Sequence, residues 1–270
     1  MAIHPTAHVH PRADLDPTVD VGPHCIIEAN VRVGAGCRLY HNVFLVGWTQ
    51  IGEGCTLHPG VIVGHEPQDV KYKGERTYCR IGNRCIIREY VTIHRGTVPE
   101  SATTVGDDGF FLAGSHIGHN CTVGHHVTMI NNTLLAGHVE VGDRVTFGGA
   151  AGVHQFVRIG ELVMVAGHAV AGMDLPPFVL TDRFGRISGL NRVGMRRAEF
   201  PAADRAEVRA AFGLLYRSGL PFAEAVTRIA ALVQTSSGKK LMMFLQSPSK
   251  RGLTGPTRRR GPDVAVEDAG

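Results

Sequence analysis

The chain has 270 residues, enough for one or two domains with a substantial core. Aromatic residues make up only 6%, glycine is abundant at 34 residues and the formal net charge is +4; tight corners are favoured over a ring-filled core, and generic nucleic-acid binding is not. No apolar run is long enough to span a bilayer and the N-terminus lacks the basic and apolar regions of a signal peptide, so no stable membrane insertion is expected and a cytoplasmic location is.

From Ile3 to Val165 an aliphatic residue, sometimes Phe or Met, recurs every sixth position: Ile3, Val9, Leu15, Val21, Ile27, Val33 and onward to Val63. The beat resumes at Ile81, Ile87 and Ile93 and again from Val105 through Phe111, Ile117, Val123, Met129 and Leu135 to Ile159. A small or β-branched residue follows four places after most of them, such as Cys25, Val31, Ser115 and Thr133. One such unit cannot bury its apolar side alone and must stack on copies of itself, which predicts a parallel β-helix. Three hexapeptides make one triangular coil of about 18 residues, and about 26 hexapeptides make between eight and nine coils, roughly 40 Å of prism. The six cysteines fall at the small position of this register without a close CxxC pair, and are expected to fill corners rather than bind zinc or form disulfides.

Two polar stretches, 69–80 (DVKYKGERTYCR) and 98–104 (VPESATT), lose the beat and are predicted as loops thrown out of the wall. The uninterrupted run from Val105 allows the 18-residue stacking rule to be applied directly. It sets Gly118-His119-Asn120 beneath Ala136-Gly137-His138, and these beneath His154-Gln155-Phe156, with His119, Gly137 and Gln155 in a single column. A neutral histidine there can take a proton from an attacking hydroxyl, and the backbone N–H of a glycine can donate to an oxyanion. No Ser or Cys stands in the patch to act as a nucleophile, so direct attack is expected. The same histidines leave a zinc site open, with His116 and His119, or His119 and His138, as ligands.

The beat stops near Asp174-Leu-Pro-Pro177. Helical periodicity then predicts a short basic helix around Leu190–Arg197, a second over Ala202–Arg217 stopped by Gly219, a third from Pro221 to about Val233 and a fourth near Lys239–Leu245. The expected division is a β-helix over 1–188, a small helical C-terminal domain over 189–246 and a disordered tail over 247–270, whose arginine run at 258–260 reads as solvated.

The segments GHEPQDVKYKGE (64–75), REYVTIHRGT (88–97), SHIGHNCTVG (115–124), NNTLLAGHVEVGD (131–143), VHQFVRIGE (153–161) and LLYRSG (214–219) follow the order of one family. Over about 1–246 the chain resembles the acyl-[acyl-carrier-protein]–UDP-N-acetylglucosamine O-acyltransferases of lipid A biosynthesis. The resemblance implies a left-handed β-helix, a homotrimer, no cofactor or metal, and transfer of an (R)-3-hydroxyacyl group from acyl carrier protein to the 3-hydroxyl of UDP-N-acetylglucosamine. It makes His119 the general base and Gly137 the oxyanion donor. His116, His138, His154 and Gln155 become substrate-binding, as do Gln68, Asp69 and Lys71 on a loop entering the site between subunits, while Asn191 and Arg197 hold the UDP moiety. Gly167 matches the position that limits acyl length, and its lack of a side chain implies a longer acyl group. The acidic carrier is expected to dock on basic residues such as Arg192, Arg196 and Arg217. Three departures stand out: Asn120 replaces the Asp usual after the base, Ala198-Glu199 replaces an Arg-Gly pair, and His65 stands where an acidic residue is common. The readings that compete are a related transferase with another sugar nucleotide or a coenzyme A donor, and a zinc enzyme of the carbonic-anhydrase kind.

Overall fold

In the computed structural model, which describes residues 2–257, the six-residue beat forms the wall of a triangular prism. Among the described residues, 26 short strands run from Ala2–Ile3 to Val170–Ala171, and successive strands go to successive faces. Strands 18 residues apart pair in parallel, as Ala2–Ile3 does with Asp20–Val21 and Thr128–Met129 with Thr146–Phe147. In each pair of residues the first faces out and the second faces in: Asp20 is exposed while Val21 is buried, and Leu134 is exposed while Leu135 is buried. The inward side chains, among them Ile27, Leu57, Phe111, Met129 and Phe147, form one continuous core. All six cysteines are buried within it as free thiols. The prism is the left-handed parallel β-helix that the hexapeptide pattern and the resemblance imply.

The corners carry the backbone cost of this winding. Their second residue adopts the left-handed conformation, with φ of 59° at Asn120, 61° at His138 and 66° at Phe156. Asn tolerates this region readily, whereas a bulky side chain enters it only where the surroundings impose it. The coil-to-coil hydrogen bonds do so here: the His138 N–H donates to His119 O (2.9 Å) and the Phe156 N–H to Gly137 O (3.2 Å).

Both excursions from the wall begin and end three residues earlier than the polar composition predicts. Tyr78–Ile81 and Ala102–Val105 are four-residue strands, paired with each other and, through Tyr78–Ile81, with Trp48–Ile51. Two residues ahead of the inward Ile51, Ile81 and Val105, these strands turn Thr49, Cys79 and Thr103 inward, all fully buried. Small residues outside the six-residue beat thus extend two of the strands backwards and disguise their first residues as loop. The true excursions cover residues 66–77 and 95–101.

Beyond the prism, Val179–Thr181 and Ile187–Leu190 form an antiparallel pair, so strand continues through the expected boundary at 188. Helices α1 (Arg192–Arg197), α2 (Ala202–Tyr216), α3 (Phe222–Leu232) and α4 (Ser236–Gln246) follow. α4 starts earlier than its apolar pattern predicts because Thr235 caps it, its side chain accepting from the Gly238 N–H. Met195, Val208, Ile229 and Leu241 pack with Leu162 and Phe178 from the end of the prism, docking the helices on the wall.

The tail departs most from expectation. Residues 247–257 are not disordered; they return to the prism and bridge in parallel to Asp174 through Leu253 and to Ile187 through Pro256. Composition could not show this, because the anchors are hydrogen bonds. The Thr254 N–H donates to Asp174 O (2.9 Å), Thr254 Oγ1 to Met173 O (3.1 Å) and Arg251 Nε to Gly172 O (3.2 Å). Below them, Asp174 is itself fully buried and accepts from the Arg158 N–H and Nε, both at 2.8 Å. The arginine run at 258–260 lies outside the described residues.

Candidate active site

The stacking rule holds at the corner between the second and third faces. The His119 ring lies against Gly137 of the next coil: a Cβ added to Gly137 would stand 2.5 Å from His119 Nε2 and 3.0 Å from Nδ1. The missing side chain therefore makes room for the imidazole, a reason for glycine beyond the uncovered N–H. That N–H meets no acceptor among the described residues. His138 packs edge-on to His119 (centroids 5.2 Å apart) and stacks on Phe156 (4.7 Å).

Asn120 settles which nitrogen of His119 is free. Its Oδ1 accepts from the Thr97 N–H (3.1 Å) and Thr97 Oγ1 (2.8 Å), while its Nδ2 donates to Ser101 Oγ (2.9 Å), whose own proton goes to Val98 O. The amide orientation is thus fixed, and an oxygen that can only accept faces His119 Nδ1 at 3.0 Å. Nδ1 carries the hydrogen and Nε2 presents its lone pair. A neutral Asn fixes the tautomer as an Asp would, without the negative charge. The excursion at 95–101 supplies Thr97 and Ser101, partners that the 18-residue count could not reveal.

His116 faces outward on the second face, with its Nδ1 2.8 Å from Thr92 Oγ1 and its ring 5.2 Å from that of His94. His94, missed by the sequence reading, is buried and held against Glu66 O. The signal for it was lost because the 95–101 excursion breaks the 18-residue spacing. Burial pushes the His116 imidazole down to about 4, with the neighbouring His94 and His119 adding to the effect; burial also lowers His94 and His138. A histidine kept neutral in the fold stabilises it fully above about pH 6.5, and that stability is lost as the pH falls towards about 4. The unfolding free energy should therefore drop by about 2–3 kcal/mol across that window through His116. Denaturation of wild type and His116→Gln at several pH values checks this: the variant should lose less stability on acidification, and an equal loss would contradict it.

Gln68, Asp69 and Lys71 lie on the 66–77 excursion, where the Lys71 N–H donates to Asp69 Oδ1 (2.9 Å). The loop is tied down by buried Arg95, which donates to Tyr72 Oη (2.9 Å) and Gly64 O (2.9 Å). Asp69 comes close enough to act on His138, opposing the effect of Lys250 there. His154 and Gln155 are exposed at the top of the column.

The remaining candidates are not at this corner. Gly167 is on the corner between the first and second faces, stacked on Gly149. Asn191 caps α1, accepting from the Gly194 N–H and donating to Leu162 O, both at 2.9 Å. Arg197 is exposed in the last turn of α1, while Ala198 packs against the helical core, so the departure at 198 serves packing. Arg192 and Arg196 share a cavity of about 280 Å³ with Arg205 and Arg209. Arg205 Nε is buried there without a hydrogen-bond partner, and none of the four arginines joins an ion pair among the described residues. Arg217 is not among them; it stacks on Phe212 in a different cavity.

Among the described residues no helix is long and apolar enough to cross a membrane, and no three His, Cys, Asp or Glu residues are grouped to hold a metal ion.

A family model described as UDP N-acetylglucosamine O-acyltransferase, domain 2, matches residues 174–254. The acyl-[acyl-carrier-protein]–UDP-N-acetylglucosamine O-acyltransferase of Burkholderia lata is 42% identical over 258 residues, covering 93% of this chain and 98% of its own. The protein of the same name from Thermodesulfovibrio yellowstonii is 41% identical over 254 residues, with the same coverage. Among solved structures, the UDP-N-acetylglucosamine acyltransferase of Francisella novicida superposes with a TM-score of 0.90 at 30% identity, over 94% of each chain.

Proposed function

The chain belongs to the acyl-[acyl-carrier-protein]–UDP-N-acetylglucosamine O-acyltransferase family, and from this we propose that it transfers an (R)-3-hydroxyacyl group from acyl carrier protein to the 3-hydroxyl of UDP-N-acetylglucosamine, opening lipid A biosynthesis. The observation that carries the reading is the His119 ring lying against Gly137 with Nδ1 held by Asn120. His119 Nε2 takes the proton of the sugar hydroxyl as its oxygen attacks the thioester carbon. The Gly137 N–H donates to the oxyanion, and collapse expels the carrier thiolate, which recovers the proton from the imidazolium. Side-chain and backbone groups suffice for each step, and family membership favours this reading over the zinc alternative.

His116, His138, His154, Gln155 and the loop residues Gln68, Asp69 and Lys71 are the proposed sugar and acyl contacts, a reading supported by the packing of His138 on His119 and the approach of Asp69 to His138. The UDP moiety is proposed to reach α1 at Arg197, with Asn191 positioning that helix. The acidic carrier is proposed to dock on Arg192, Arg196, Arg205 and Arg209, none of which joins an ion pair among the described residues.

A single protomer leaves Gly167 a full face away from His119, so the site becomes complete when a second copy lays its first corner against the second face. Val70 at the loop tip is 95% exposed and Val170 on that face 64%, which suits burial between copies. A cytoplasmic homotrimer with Gly167 setting room for a long acyl chain is the assembly we propose.

Mass-spectrometric assay of the purified protein with a panel of acyl-carrier and coenzyme A donors, and with the 3-hydroxy and 3-amino sugar nucleotides, tests the reading. Acylation of UDP-N-acetylglucosamine from a 3-hydroxyacyl carrier protein is expected; absence of transfer from any carrier-bound donor would overturn it.

A further inference from the structure

The segment 247–257 does more than close the end of the prism. Ser249 Oγ accepts from the N–H groups of Arg251 (3.2 Å) and Gly252 (2.8 Å), folding the chain into a tight turn, and Gly252 has a φ of 73°. Arg251, Thr254 and the Tyr216 hydroxyl, which donates to Thr254 O (3.1 Å), then pin the segment to the wall. Within this turn Lys250 is exposed, and its ammonium lies 4.4 Å from the centre of the Phe156 ring.

Phe156 is the ring on which His138 stacks, and His138 packs edge-on to His119. Lys250 therefore stands at the upper end of the candidate active corner, about 10 Å above the His119 coil by the inter-strand spacing. Its charge acts on His138. No carboxylate lies within ion-pair distance of it among the described residues. An ammonium held by an anchored turn, beside the reacting column and without an anionic partner, is built to receive an anion from outside.

We propose that Lys250 is a phosphate-binding residue of the acyl-transfer site, presented by the strap 247–257. This rests on the acyl-transfer reading, under which both substrates carry phosphate: the diphosphate a few atoms from the reacting sugar hydroxyl, and the phosphodiester of the carrier's pantetheine arm. Lys250 touches neither reacting bond; it holds a substrate by its charge.

Steady-state kinetics of wild type, Lys250→Gln and Lys250→Arg, with calorimetric titration of UDP into each, test the assignment. Removing the charge should raise one KM about five- to tenfold while kcat stays within about twofold, and Lys250→Arg should restore most of the loss. A higher KM for UDP-N-acetylglucosamine, with weaker UDP binding, assigns the diphosphate; a higher KM for the acyl carrier alone assigns the phosphodiester. Unchanged KM values in an enzyme that turns over normally would overturn the proposal. So would a fall in kcat alone, since the lysine would then act through His138. If wild type transfers no acyl group, the functional reading fails by itself, and calorimetric titration of UDP and of the acyl carrier protein still decides the phosphate site: equal affinity of wild type and Lys250→Gln for both would sink it.

Discussion

Replacing His119 by alanine should lower kcat for acyl transfer by about 10²–10⁴-fold, the usual worth of a positioned general base. KM for the sugar nucleotide should move little, because the imidazole acts on the proton in flight rather than on the bound ground state. The fold should be indifferent to the change: His119 is half-buried, and the corner is held by its backbone carbonyl, which accepts from the His138 N–H. A single-turnover assay alongside a thermal melt separates the two effects. Near-normal turnover in a folded variant would remove His119 from the mechanism and leave the column without a base.

Gly137→Ala is the second large effect, and it isolates placement from chemistry. The added methyl would come 2.5 Å from Nε2 of His119, far inside contact distance, so the ring must swing away from its position over the corner. Gly137 is not among the positive-φ residues, which means alanine itself can adopt the backbone without strain. The oxyanion donor is retained and every catalytic side chain is still present, yet misplacement of the base by about 1 Å can cost about 10²-fold. A drop of that size in kcat, with unfolding temperature within a few degrees of wild type, is the expected result. Full activity would show that the imidazole works from another rotamer.

The extent to which these sites were legible in the sequence followed the regularity of the winding. Where the beat was unbroken, counting by eighteen placed His119 beneath Gly137 and left only the ring geometry to be learned. Where an excursion intervened, the count failed: His94, Thr97 and Ser101 are separated from their partners by extra chain, and their contacts follow from folding of the loop. Cys79 and Thr103 hid two strand ends because a small buried residue outside the six-residue beat carries little hydrophobic signal. The strap at 247–257 was hidden for a related reason. Its Gly, Pro and basic residues read as solvated chain, and only hydrogen bonds to Gly172, Met173 and Asp174 reveal its place. Asn120 showed the opposite case. The sequence marked it as a departure from the family, and its hydrogen bonds to Thr97 and Ser101 show how the departure is accommodated.

The threefold winding also constrains how such a chain can change length. Inserting one hexapeptide between His119 and Gly137 would rotate everything after it by a third of a turn and carry the glycine to another edge of the prism. Inserting a whole coil would keep the edge but interpose a layer between base and oxyanion donor. Deletions meet the same arithmetic, so heritable changes of length are confined to the corners, where the excursions at 66–77 and 95–101 leave the wall and rejoin it with strand pairing intact. Descendants of this fold can acquire new loops over the site far more readily than they can move it.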